Sequence, residues 1–117
     1  DRAVLEEEDV GGLGLVRTSV TLADRTAFDL PLDAAERVID TLRIATEAEV
    51  ACVLKEDDAG DWRVSMRSKG RIDVSAVALA LGGGGHRFAA GFTGHGSADE
   101  VLGAVRDALA TAPHLPE

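Results

Sequence analysis

Tyrosine is absent from this 117-residue chain, tryptophan and methionine occur once each, and phenylalanine occurs three times. With so few large rings, the core has to be built from Val, Leu, Ile and Ala. A single cysteine excludes an internal disulfide framework. No apolar run approaches the length of a membrane span, so no membrane partner is expected. The opening D-R-A-V-L-E-E-E-D-V has neither the basic nor the apolar region of a signal peptide. These absences lead to the expectation of a soluble, cytoplasmic protein. An acidic start without Met adds the expectation of a fragment cut from a longer chain. His86, His95 and His114 are scattered and lack carboxylate or thiol companions at ligand spacing, so no metal site is expected within this chain.

The charge is present but unevenly spread. Twelve basic and 21 acidic residues give a net of −9. Between Arg63 and Arg87 the window is +4, with Asp73 as its one acidic residue, which leaves −13 for the remainder. An acidic body with one compact basic patch does not suit a protein that coats duplex DNA. It suits a pocket that focuses a small phosphate-bearing ligand. The alternative is a patch that only offsets acidic surface elsewhere in the fold.

The apolar pattern gives an order of elements. Leu13–Leu22 alternates as a half-buried strand, with Val16, Val20 and Leu22 on one face. Ala23–Pro31 reads as a loop. Asp33 and Glu36 form a capping box for a helix with Ala35, Val38, Ile39, Leu42 and Ala45 on its apolar side. Glu49–Leu54 is the continuous apolar run of a central strand covered on both faces, with Cys52 as a buried thiol. After a hairpin-length connection at Glu56–Gly60, Asp61–Arg67 splits by parity: Trp62, Val64 and Met66 face the core, Arg63, Ser65 and Arg67 the other side. Asp73 caps a helix bearing Val74, Val77, Ala78 and Leu81. Gly91–His95 reads as a short strand, and Ser97 with Glu100 caps a last helix striped by Val101, Leu102, Val105, Ala108, Leu109 and Ala112. The fold class is α/β (α+β): one mixed sheet of about four or five strands packed against about three helices. Residues 1–12 read as a linker or the end of an interdomain helix, and 13–117 as one domain.

Gly82–Gly91, G-G-G-G-H-R-F-A-A-G, is the most unusual stretch. One glycine would be enough to end a helix. The surplus lets main-chain N–H groups approach an anion without a Cβ in the way, with His86 and Arg87 opening a short helix-compatible run. A flexible joint between helix and strand is the competing reading. Arg63, Ser65 and Arg67 offer a strand face of phosphate-binding types, since the Arg fork donates two parallel hydrogen bonds.

The residues from Val64 to Thr93 carry an R-S-K strand end at Arg67-Ser68-Lys69, a D-V helix start at Asp73-Val74 and a G-G-G-H-x-x-A-A-G loop at Gly83–Gly91. This segment, about a quarter of the chain, resembles the DHH-associated C-terminal domain of DHH-family phosphoesterases. Within that family it is most similar to the bacterial oligoribonucleases that also dephosphorylate 3′-phosphoadenosine 5′-phosphate. The resemblance implies a substrate-binding domain whose catalytic partner is an N-terminal DHH domain. No D-H-H triplet occurs here, so no catalytic residue is expected in this chain.

By the same resemblance, Arg67 binds a substrate phosphate with Ser68 and Lys69 beside it. Gly83, Gly84 and Gly85 offer amides, and His86 and Arg87 stand at the same end. Phe88 is the candidate base contact, or else packs under its own turn. No cofactor is expected on this chain. A divalent metal, manganese by the resemblance, is expected in the catalytic domain. The expected ligand is a short oligonucleotide, a dinucleotide or 3′-phosphoadenosine 5′-phosphate, and a homodimer of the full-length enzyme is a further expectation. The alternative function is a non-catalytic single-stranded nucleic-acid-binding module of a RecJ-type exonuclease or a tRNA-synthetase-like protein, which a steep salt slope would reveal.

Overall fold

The computed structural model describes residues 6–10, 12–28, 39 and 47–115. The described elements run β1 (Glu6–Val10), β2 (Leu13–Val20), α1 (Leu22–Phe28), β3 (Val50–Glu56), β4 (Trp62–Ser68), α2 (Val74–Ala80), β5 (Gly84–His86), β6 (Ala89–Gly94) and α3 (Ala98–Ala110). The strands form one six-stranded sheet in the order β1-β2-β3-β4-β6-β5. Among the described strands, β2 and β3 alone pair in parallel; the other four pairings are antiparallel. Among the described residues the architecture is the expected mixed sheet packed with helices, three of them named above, with six strands rather than four or five.

The main core lies on the sheet face that carries α2 and α3. Leu15, Cys52, Leu54, Trp62, Val64, Met66 and Phe92 meet Val74, Val77 and Ala78 of α2 and Val101, Leu102, Val105 and Leu109 of α3. The parity read along β4 is observed, with Trp62 in the core. On the opposite face Val16, Ala51 and Val53 pack with Ile39 and Ala48. β3 is therefore buried on both sides, and desolvation pushes the Cys52 thiol up to about 12, consistent with an inert structural residue. β2 is likewise covered on both faces over Leu13–Val16 rather than half-buried, because Leu13 and Leu15 join the main core.

Two expectations are corrected. The Ala23–Pro31 loop gives way to α1 over Leu22–Phe28. Thr21 and Asp24 exchange reciprocal N-terminal hydrogen bonds, and Glu56 Oε1 accepts from Leu22 N at 2.7 Å. Residues 6–10, read as linker or helix end, form edge strand β1. The expected helix from Asp33 lies outside the described residues, apart from buried Ile39.

β1 has almost no apolar content, and ion pairs hold it. Glu8 bonds Arg106 of α3 at 2.5 Å and Arg17 of β2 at 2.8 Å, while Glu6 takes the other arm of Arg17 at 2.7 Å. The Arg106 hydrogen bond, reinforced by Arg17, holds the Glu8 carboxyl down to about 2, against the opposing pull of burial. A carboxyl lowered in the folded state adds stability above its unfolded value, and that stability disappears as pH falls toward the folded value. The expected contribution, after solvent screening, is about 1–2 kcal/mol at pH 7. Urea midpoints of the protein should therefore decline as pH drops from 5 to 2. Glu8→Gln should remove the Glu8 share of that decline while leaving the share of Asp57, Asp73 and Glu100, whose carboxyls are also lowered.

Candidate functional site

The open part of the sheet is the face opposite α2 and α3, over β4, β6 and β5. Register places its side chains in rows. Arg67 of β4 is paired with Ala89 of β6, which is paired with His86 of β5. Directly paired residues point to the same face, so Arg67 and His86 flank Ala89 across two strand spacings, about 10 Å. The next row is Ser65, Gly91 and Gly84. The result is an open groove of about 270 Å³ lined by Ser65, Arg67, Gly84, Gly85, Ala89, Ala90 and Gly91. Its floor carries nothing larger than a methyl or hydroxymethyl group. Arg67 is half-buried at one wall, with Nη1 donating to Met66 O at 3.0 Å.

The glycine stretch takes a different form from the one expected. α2 ends with Leu81 as its cap, and Gly82 follows at φ 92°. Gly82 N donates to Leu79 O at 3.2 Å and Gly83 N to Ala78 O at 2.7 Å, a pair of bonds that closes the helix end. The Gly83 amide is thereby committed to the helix. A Cβ on Gly83 would lie 2.1 Å from Gly91 O, so this glycine allows the chain to pass close over β6. Gly84 and Gly85 then enter β5, Gly85 at φ 141°. His86 and Arg87 therefore do not open a helical run. His86 ends β5, and Arg87-Phe88 form the two-residue turn into β6.

That turn is stitched to the rest of the site. Phe88 O accepts from Ser68 N at 2.9 Å, and Arg87 O accepts from Val74 N at 2.9 Å. The hairpin tip is thus fixed to the end of β4 and to the start of α2. Asp73 caps α2 through Ser75 N and Ala76 N. Its carboxyl is held below the usual range, first by the Ser75 hydroxyl hydrogen bond, despite the opposing effect of burial, and last by the charge of Arg87.

The R-S-K strand end divides. Ser68 belongs to β4 and takes the opposite parity from Arg67. It is 2% exposed, its Oγ accepting from Gly70 N at 3.1 Å and Ile72 N at 3.4 Å and bonding Glu49 Oε2 at 3.3 Å. Ser68 thus sits on the core side, outside the groove, and shapes the turn into α2. Glu49, which the sequence reading passed over, holds the same turn: its carboxylate accepts from Arg71 N at 2.7 Å and its carbonyl from Lys69 N at 2.9 Å. Lys69 and Arg87 are exposed near the groove, and the Arg87 guanidinium lies 5.2 Å over the Phe88 ring. Phe88 is 42% exposed. His95 is exposed and bonds Asp61 at 2.8 Å. Ala89 and Gly91 were also missed as groove residues; only the A-A-G of the motif signalled them.

Among the described residues, no three His, Cys, Asp or Glu side chains are grouped so as to hold a metal ion. No helix among them is long and apolar enough to cross a membrane.

The fold has matches among known proteins. The DHHA1 domain model matches residues 19–112. A bifunctional oligoribonuclease and PAP phosphatase, NrnA, of Thermus thermophilus is 35% identical over 96 residues, covering 74% of this chain and 29% of that protein. The crystal structure of an exopolyphosphatase-related protein from Bacteroides fragilis superposes with a TM-score of 0.73 at 25% identity, covering 81% of this chain and 28% of that one. A pGpG-specific phosphodiesterase from Vibrio cholerae shares the fold, with a TM-score of 0.58 at 14% identity, over 88% of this chain and 34% of its own. The chain thus spans about 29% of the length of its curated relative. The match over residues 19–112 shows that the chain belongs to the DHHA1 domain family.

Proposed function

We propose that this domain holds a phosphate of a short nucleotide substrate for a metal-dependent phosphoesterase. The observation that carries the reading is the row Arg67–Ala89–His86 on the open sheet face, with Gly84 and Gly85 lining the same groove. Arg67 supplies a guanidinium fork to phosphate oxygens, His86 a second donor, and the glycine wall lets the ligand approach the backbone. The groove is about 270 Å³ and open on one side. That is below the usual ~300–1,000 Å³ of a small-molecule site, as expected of half a cleft. Water activation and the divalent metal, manganese by resemblance, belong to a DHH domain outside the described residues. No step of that chemistry runs through the side chains seen here. The role of this chain is to orient the non-scissile end of the substrate. A 3′-phosphoadenosine 5′-phosphate, oligonucleotide or dinucleotide substrate fits the names of the relatives, and the −13 outside the basic window favours a short ligand over a long strand.

Titration of the isotopically labelled chain with 3′-phosphoadenosine 5′-phosphate should shift the amides of Arg67, Gly84, Gly85 and His86, leaving those of β1 and α3 in place. Shifts confined to other elements would rule out the groove.

A further inference from the structure

The open face does not end with the groove. One row beyond Ser65 and Gly91, register pairs Arg63 of β4 with Thr93 of β6, both exposed and on the same face as Arg67. Arg63 and Arg67 are four residues apart along an extended strand, about 13 Å between Cα atoms. Between them lies only the Ser65–Gly91 floor. The Arg63 side chain is 57% exposed and has one carboxylate neighbour, Asp57, with Nε to Oδ2 at 3.6 Å. Against the opposing effect of burial, and with the Asp61 and Ala59 amides, Arg63 helps to hold the Asp57 carboxyl below its usual range by charge and a hydrogen bond. A guanidinium has five N–H donors, however, and one carboxylate contact leaves others for a second anion. Asp57 is itself engaged by Ala59 N and Asp61 N through Oδ1, at 2.9 and 3.0 Å, so its loop does not depend on Arg63.

Two guanidinium groups at the ends of a strip that carries only the small Ser65 and Gly91 between them, on one strand, form a track rather than a single socket. We propose that Arg63 is a second phosphate contact, which makes the domain favour ligands carrying two phosphates along the strip over ligands carrying one. Thr93 adds a hydroxyl at the same end. This rests on the reading of the groove around Arg67 as the first phosphate site.

Adenosine 5′-monophosphate and the 5′-phosphorylated dinucleotide pApA separate the two roles in calorimetric or amide-shift titrations of this chain. Arg63→Ala should weaken pApA binding roughly tenfold and leave adenosine 5′-monophosphate unchanged. Arg63→Lys should fall between wild type and Ala, since it keeps the charge and loses the fork. Equal affinity of Arg63→Ala and wild type for pApA, with Arg67→Ala still weakened for both ligands, would overturn the second contact and leave the groove reading intact. An unaffected Arg67→Ala would remove the groove reading itself. Weakening of both ligands by Arg63→Ala would also overturn the proposal, by showing a general loss of site geometry or field.

Discussion

Gly83→Ala should destabilise the protein by about 3 kcal/mol, the largest effect expected of any single methyl added to the glycine stretch. The added Cβ would meet Gly91 O at 2.1 Å, Phe92 Cβ at 2.6 Å and Phe92 Cα at 2.7 Å. Two of these neighbours are backbone, so no rotamer change relieves the contact. Phe92 is part of the main core, and the Gly83 amide closes α2 through Ala78 O at 2.7 Å. A shift that accommodates the methyl group must therefore loosen the helix end, the β5–β6 hairpin or the core. Gly84→Ala is the matched control, because a Cβ there meets nothing within 4 Å. Its urea midpoint should stay within about 0.5 kcal/mol of wild type. Equal midpoints for the two variants would show that the close approach over β6 costs nothing to open.

Arg67→Ala should weaken binding of 3′-phosphoadenosine 5′-phosphate by about ten- to a hundredfold, while the urea midpoint stays near wild type. The figure follows from losing one charge-assisted, two-pronged contact of about 1.5–3 kcal/mol. Stability should be spared because Arg67 lies half-buried on the open sheet face and belongs to neither core cluster. Arg67→Lys should recover part of the affinity. In a longer protein that carries the catalytic half, the loss should appear mainly in KM. Undiminished affinity in Arg67→Ala would mean that the groove holds ligand by other means.

The parts of this fold that could be read from sequence are those whose cause is local. β3 announced itself by five successive apolar residues, β4 by clean alternation, α2 by Asp73 and α3 by the Ser97–Glu100 capping box, which is present with both of its hydrogen bonds. β1 could not be read, since Glu6, Glu7 and Glu8 show no apolar period and are held by Arg17 and Arg106, the latter 98 residues from Glu8. α1 was missed although Thr21 and Asp24 form a local cap, because its seven residues are too few to show a helical period and its N-terminus is completed by Glu56, 34 residues from Leu22. The glycine stretch has no side-chain period from which a hairpin could be inferred; β5 exists because β6 lies beside it. Ser68 shows the same limit in one residue. Grouped with Arg67 by adjacency, it turns inward because β4 runs one residue further than the alternation suggested. The proximity of Arg67 and His86, 19 positions apart in the chain, depends on the β4–β6–β5 order, which no local pattern carries.

The alternation along β4 has an evolutionary consequence. Odd-numbered positions Arg63, Ser65 and Arg67 meet the outside, while Trp62, Val64, Met66 and Ser68 hold the interior. Substitution at the odd positions can therefore retune what the domain recognises with little effect on the hydrophobic interior. A single-residue insertion within the strand would exchange the two sets and drive two guanidinium groups into an apolar layer. Ligand preference on this scaffold can drift by replacement, whereas changes in strand length are barred.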